Sequence, residues 1–185
     1  EGSYSPDGQQ LAYVPNGKWQ QAWKRYRGGQ TTPIWIAQIS DSKWKAIPRK
    51  NTNDETPMWI GNSIYYRSDP DGIVGLYRYD ISSGKITTEV KPSGFDIKSA
   101  TAGPGVIAYE KLGNIFLFDL ATKQSSRVPI TINADFPEAR TQFKDVSKRI
   151  TGYALAPKAQ RLAVTARGFV WTIPAEKGDP RLLSD

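Results

Sequence analysis

Ile115-Phe116-Leu117-Phe118-Asp119-Leu120 is one of four copies of a single pattern in this chain. Leu76-Tyr77-Arg78-Tyr79-Asp80-Ile81 repeats its order of aliphatic, aromatic, two free positions, Asp and aliphatic, and Ile34-Trp35-Ile36-Ala37-Gln38-Ile39 repeats it with Gln for Asp. Val170-Trp171-Thr172-Ile173 is a shorter fourth copy. A period of about 40 residues is the mark of solenoids and propellers, in which each unit hides its apolar surface only against its neighbours. The pattern predicts β-propeller blades.

The residues around each copy supply the rest of a blade. Ser5-Pro6-Asp7-Gly8 presets a tight turn, because Pro fixes φ and Gly accepts positive φ, so it joins a short strand ending near Ser5 to one beginning near Leu11. The same alternation returns at 57–60 before 63–67, at 97–101 before 106–110, and at 152–155 before 161–165. After each copy of the pattern comes a polar turn and a short outer strand: 45–49, 86–90, 126–130 and 181–184. Four short strands per unit with turn signals at every joint describe a propeller blade.

Spacing adds organisation. The pattern recurs after 42, 39 and then 55 residues, so something extra lies between the third and fourth copies. That piece, 131–149, carries Asn133, Asp135, Pro137 and Glu138 with no alternation. A connection so long between compact units is functional or a boundary, and blade strands resume directly after it. The expectation is an all-β chain, a partial β-propeller of about four four-stranded blades spanning the end of one propeller and the start of a second. Residues 1–130 and 150–185 then belong to different wheels, joined by 131–149.

A second irregularity is the insert at 15–33, where the later copies have a far shorter joint. It reads Lys18-Trp19-Gln20-Gln21-Ala22-Trp23-Lys24-Arg25-Tyr26-Arg27-Gly28-Gly29. Aromatics interleaved with cations suit stacking and anion contacts. Trp23, Lys24, Arg25, Tyr26 and Arg27 are therefore candidates for contact with a peptide or with another domain. The competing reading is a basic loop whose Trp19 and Trp23, at i, i+4 spacing, pack down onto the propeller.

Other conspicuous residues read as architecture. Trp35, Tyr77, Phe116 and Trp171 share one register, which points to packing between blades instead of a ligand cage. Asp80 and Asp119 stand just ahead of polar turns and should accept hydrogen bonds from turn amides. Asp69, Asp71 and Gly72 lack the closing Glu of a calcium loop and read as a hairpin turn.

Composition limits the chemistry. The 185 residues include no cysteine and no histidine, which removes thiol nucleophiles, disulfides, the usual general base and the commonest zinc ligand. No spacing singles out a Ser–Lys or carboxylate pair, so no catalytic, cofactor-binding or metal-binding residue is expected. The formal charge of +7 is spread along the chain except between Lys18 and Arg27, as solvated faces and turns would have it, and not as a nucleic-acid surface would. No window is apolar enough to cross a bilayer. The chain opens inside a turn motif, which predicts a piece of a longer polypeptide. A propeller closes by joining first and last blades, so the chain is expected to be ordered beside further segments of its own protein or by pairing with other copies.

With the repeats laid out, the chain resembles TolB-like propeller repeats in its Ser5 to Gly8 turn. It is similar, more closely, to the amino-terminal propeller region of tricorn-type proteases, through Trp23-Lys24-Arg25-Tyr26-Arg27-Gly28-Gly29 ahead of Ile34-Trp35-Ile36, through 57–66 with Asp69, Asp71 and Gly72, and through 125–130 leading into the linker. The resemblance implies that 1–130 closes a six-bladed propeller and that 150–185 opens a seven-bladed one. It further implies a non-catalytic segment that channels peptides to a serine-peptidase domain elsewhere in the polypeptide, in the cytoplasm; a periplasmic or secreted location is equally compatible with the lack of cysteine. The family's catalytic residues and its paired substrate-binding arginines have no counterpart here, and Arg25 and Arg27 are not those arginines. A TolB-like interaction propeller without protease activity and the gating propeller of a prolyl-oligopeptidase-type enzyme are the alternatives.

Overall fold

The computed structural model describes residues 1–17, 24, 26–140 and 142–184. These form four antiparallel four-stranded sheets, each built from consecutive strands in chain order. The first blade is β1 (Gly2–Tyr4), β2 (Gln10–Tyr13), β3 (Trp35–Gln38) and β4 (Trp44–Ala46). The second is β5 (Asp54–Ile60), β6 (Ser63–Ser68), β7 (Gly75–Asp80) and β8 (Ile86–Val90). The third is β9 (Ile97–Gly103), β10 (Val106–Lys111), β11 (Asn114–Asp119) and β12 (Ser125–Arg127). The fourth is β13 (Ile150–Leu155), β14 (Arg161–Ala166), β15 (Phe169–Pro174) and β16 (Arg181–Leu182). The all-β, partial-propeller expectation holds, and the quoted pattern falls on the third strand of every blade.

The chain divides into two compact units, Glu1–Thr131 and Ile132–Asp185. In the first unit the register explains the repeat. Tyr13 pairs with Trp35, Tyr66 with Tyr77, and Tyr109 with Phe116, so each blade presents two aromatics side by side on one face. In the second blade that face packs on the first, where Ile64, Tyr66, Tyr77 and Tyr79 meet Ala12, Ile34, Ile36 and Ile47. In the third it packs on the second, where Ile107, Tyr109 and Phe118 meet Met58, Tyr65 and Leu76. The aromatic of the pattern thus faces the preceding blade, and the aliphatics flanking it face the following one. Packed side chains of this kind contribute roughly 1.5–3 kcal/mol each. Only the middle blade is covered on both sides, and its β6 and β7 are buried nearly throughout.

The turns carry the chemistry expected of them. Asp80 accepts the Ser83 amide at 2.9 Å, and Asp119 accepts the Ala121 and Thr122 amides at 2.9 and 2.7 Å. The amide and then the hydroxyl of Ser83 hold the Asp80 carboxyl below the usual carboxylate range, and those of Thr122 do the same for Asp119.

Several strand boundaries differ from the sequence reading, and two of them have a clear physical cause. β4 stops at Ala46 because Ile47 turns inward, donating to the Ile34 carbonyl at 3.0 Å and becoming 1% exposed, and Pro48 has no N–H to extend the ladder. β5 starts at Asp54 and is bulged between Glu55 and Met58, with Thr56 at φ +54°. A β-branched residue in that region is strained.

The second unit holds one blade. Val164 and Ala166 are buried, while Tyr153 and Leu155 stand open. Between Ile132 and Arg149 the only regular element among the described residues is a 3-10 turn, Pro137–Ala139.

Candidate functional site

In a four-stranded blade the joint between the second and third strands lies at the same end as the passage to the next blade. The insert therefore shares one end of the first unit with the β6–β7 turn and with the β8–β9 passage. Two of its cations are fixed there. Arg27 donates from Nη2 to the Asp69 carbonyl at 3.1 Å and lies 3.3 Å from Asp69 Oδ2, and Lys24 Nζ lies 2.8 Å from Asp96 Oδ2. Asp69 is 2% exposed and also takes the Asn53 amide at 2.7 Å and the Asn53 side-chain nitrogen at 3.0 Å. Gly72, at φ +81°, donates to the Asp69 carbonyl and closes the turn that the sequence suggested. The Asp69 carboxylate is thus consumed inside the protein.

Around it lies a polar cluster with no sequence motif. Asp54 accepts from Ser68 Oγ at 2.5 Å and from Thr52 Oγ1 at 2.8 Å, with Arg49 Nε 3.9 Å away. Burial pushes the Asp54 carboxyl above its ordinary range, against the pull of those bonds. Arg49 donates to Thr31 and, at 2.6 Å, to the Thr52 carbonyl, while Asn51 donates to the Arg27 carbonyl. Burial likewise pushes the Tyr77 phenol up to about 12. These residues anchor the base of the insert to the passage between blades one and two.

Of the candidate contact residues, Lys24 and Arg27 are brought together as internal anchors, and Tyr26 lies between them, 36% exposed. Trp23 and Arg25, like Trp19, lie outside the described residues. Lys24 is half exposed, and a pair of that kind stabilises by less than about 1 kcal/mol. At Asp96 burial works against the charge, but the Lys24 bond and the Val74 amide outweigh it and hold the carboxyl low. A depressed carboxyl contributes stability above its unfolded value, near 3.8, and loses it as pH falls through the folded value. Lys24→Met is expected to raise the Asp96 pKa, followed by carboxyl NMR titration, and to shrink the acid-side fall in stability.

The second candidate surface is a groove of about 420 Å³ lined by Glu1, Gly2, Ser3, Thr56, Pro57, Met58, Ala100, Thr101 and Ala102. Apart from Glu1, which precedes β1, these residues come from β1, β5 and β9, the first strand of each of three blades. The bulge shapes its floor. Glu1 Oε2 accepts the Thr56 amide at 2.8 Å and its hydroxyl at 3.1 Å. Arg67 Nε donates to Thr56 Oγ1 at 3.1 Å, Nη2 to Glu55 at 3.0 Å, and Nη1 to the Ile97 and Lys98 carbonyls at 3.2 and 2.5 Å. One guanidinium thus ties the bulge to the first strand of the next blade. The sequence offered no signal for it, since a lone Arg in a strand reads as surface. The groove offers mostly small side chains and hydrogen-bonding groups, and its one hydroxyl–carboxylate contact, Thr56 to Glu1, is part of the bonding that holds the bulge. Among the described residues no cluster of acidic side chains could hold a metal ion, and no helix is long and apolar enough to cross a membrane.

Residues 1–124 match the family described as the tricorn protease N-terminal beta propeller domain. Tricorn protease homolog 1 of Streptomyces coelicolor is 24% identical over 176 residues, covering 94% of this chain and 16% of its own length. The crystal structure of the tricorn protease superposes with a TM-score of 0.64 at 22% identity, over 97% of this chain and 17% of that one. TolB from Acinetobacter baumannii gives 0.54 at 17% identity, over 100% and 43%, a likeness of fold alone. The chain spans between 11% and 16% of the length of the curated relatives it matches. With the family match extending over two blades and the first three strands of the third, the chain belongs to the tricorn protease N-terminal β-propeller family.

Proposed function

We propose that the chain is the non-catalytic propeller segment of a tricorn-like serine peptidase, forming wall for a passage that leads peptides to a catalytic domain elsewhere in the same polypeptide. The observation that carries this reading is the groove along β1, β5 and β9 in a chain of that family. Its lining mixes Gly2, Pro57, Met58, Ala100 and Ala102 with the polar Glu1, Ser3, Thr56 and Thr101, is held in shape by Glu1 and Arg67, and suits contact with extended peptide backbone. Residues 1–130 act as the closing blades of a six-bladed TolB-like propeller, 131–149 as the linker, and 150–185 as the first blade of a second propeller. The partners are the remaining domains of the polypeptide and the peptides in transit. Lys24 and Arg27 fix the insert from within in this reading, tying it to the loops of the second blade.

The test is a peptidase assay with fluorogenic peptides on the full-length gene product and on the 185-residue chain. Activity in the former that a serine-directed inhibitor abolishes, with none in the latter, supports the proposal. A full-length product without peptidase activity overturns it in favour of a TolB-like interaction propeller.

A further inference from the structure

A cavity of about 380 Å³ lies where the passage from β4 to β5 meets the second blade. Its walls come from that passage, from β5 to β8 and from the β6–β7 turn, all inside the first unit, so neither outer face of the three-blade array contributes to it. Pro48, Pro70 and Ile86 make an exposed apolar rim, with the exposed Lys50 beside them. Tyr66, Tyr77 and Asp54 form the interior and are buried. Burial holds both phenols above their ordinary range, so they stay protonated. Two polar atoms there are left without hydrogen bonds among the described residues. Arg49 Nε is buried and bonds to nothing, and Asp54 Oδ2 lies 3.9 Å from it, beyond hydrogen-bond reach. Ser68 and Thr52 both donate to the other Asp54 oxygen, Oδ1.

We propose that this cavity binds a small neutral ring carrying a hydroxyl, a phenol, with the hydroxyl set between Arg49 Nε and Asp54 Oδ2. A hydroxyl both accepts and donates, and one oxygen about 2.9 Å from each atom spans the gap between them. A carboxylate in that place would face Asp54, and an ammonium would face Arg49; the two together leave no net charge for either to answer. The size of the cavity lies at the small end of ligand sites, about 300–1,000 Å³, which suits a single ring against the prolines and Ile86. Completing a buried donor and a buried acceptor at once recovers bonds that folding left unmade. A free phenol and the side chain of a tyrosine in a peptide offer the same group. The cavity shares no lining residue with the groove along β1, β5 and β9, and the inference holds whether or not the parent polypeptide is a peptidase.

The experiment is ligand-observed fluorine NMR on the full-length gene product, with 4-fluorophenol, fluorobenzene, 4-fluorobenzoate and 4-fluorobenzylamine as probes. 4-Fluorophenol is expected to bind at least about tenfold more tightly than fluorobenzene, the scale of hydrogen bonds to charged groups, and more tightly than either charged probe. Ile86→Trp, at a position 38% exposed, fills the mouth and is expected to abolish that binding with the circular dichroism unchanged. Asp54→Asn sets an NH₂ at the place of Oδ2, which removes the acceptor, so the preference for 4-fluorophenol over fluorobenzene should shrink. If Asp54→Asn does not fold, Ile86→Trp decides alone. Displacement of 4-fluorophenol by N-acetyltyrosinamide assigns the site to a tyrosine side chain, and failure to displace it assigns the site to a free phenol; both uphold the inference. Equal binding of 4-fluorophenol and fluorobenzene overturns it, as does tighter binding of a charged probe or no binding at all. Binding that persists in Ile86→Trp, or a full preference kept by folded Asp54→Asn, overturns it also.

Discussion

Asp69→Ala is expected to destabilise the first unit by about 3–5 kcal/mol, the range for removing one partner from a buried, paired charge. The side chain is buried, its carboxylate accepts two hydrogen bonds from Asn53, and Arg27 pairs with it at 3.3 Å. Truncation leaves the buried Asn53 amide and side chain without acceptors and frees the Arg27 guanidinium from its carboxylate. Each unmade bond at a buried group costs about 1–3 kcal/mol. The loss reaches beyond one turn, because Asn53 leads into β5 and Arg27 holds the insert. Urea unfolding monitored by tryptophan fluorescence measures it. Asp69→Asn keeps one acceptor but sets an NH₂ against neighbouring donors, so its loss should be smaller than that of Asp69→Ala and still measurable. A change below 1 kcal/mol in Asp69→Ala would mean that water reaches Asn53 and Arg27 and that the cluster is not a keystone.

Asp69 also marks where sequence reasoning stops. The fold was legible because a propeller writes its architecture locally: a turn such as Ser5-Pro6-Asp7-Gly8, an aromatic flanked by aliphatics, and an Asp ahead of a polar turn recur at a fixed spacing. Each follows from the conformation of a few neighbouring residues, so periodicity finds them. The common register of Trp35, Tyr77 and Phe116 was readable for the same reason, and so was the packing of Tyr77 and Phe116 between blades, whereas Trp35 stacks on Trp44 of its own blade.

The candidate site was far less legible. Lys24 and Asp96 are 72 residues apart, and Arg27 and Asp69 are 42 apart. No spacing rule joins such pairs, because the distance between them is set by how blades stack. Cations in an aromatic-rich insert therefore read as outward contacts, although the described ones turn onto the loops of the neighbouring second blade. Arg67 escaped notice for a related reason. Its worth lies in four acceptors gathered from two blades around a bulge at Thr56, and nothing in Pro57-Met58-Trp59-Ile60 announces a bulge.

Phe118→Ala should cost about as much as the loss of Asp69, roughly 3–5 kcal/mol, through cavity formation and not through charge. Phe118 is 0% exposed, the largest of the fully buried side chains, and stands where the third blade meets the second among Met58, Tyr65, Leu76 and Ile107. Sheet backbones on both sides are pinned by their ladders, so neighbours can fill little of the space that a lost ring leaves. A second contribution comes from Lys123, whose ammonium lies 5.6 Å from the Phe118 ring and 5.4 Å from that of Tyr65. Lys123 also donates to the Tyr65 hydroxyl at 3.0 Å and approaches the buried Glu89 at 3.7 Å. With the ring gone that cation loses one of its supports, and the tie between blades loosens with it. Hydrogen exchange should therefore report faster opening in β9 to β12 than in β1 to β4, with the global loss read from urea unfolding. Ile130→Ala, at a position 63% exposed, is the control and should change stability by no more than about 0.5 kcal/mol. If Phe118→Ala cost as little as that control, the third blade would not be packed on the second, and the account of the pattern's alternating faces would fail with it.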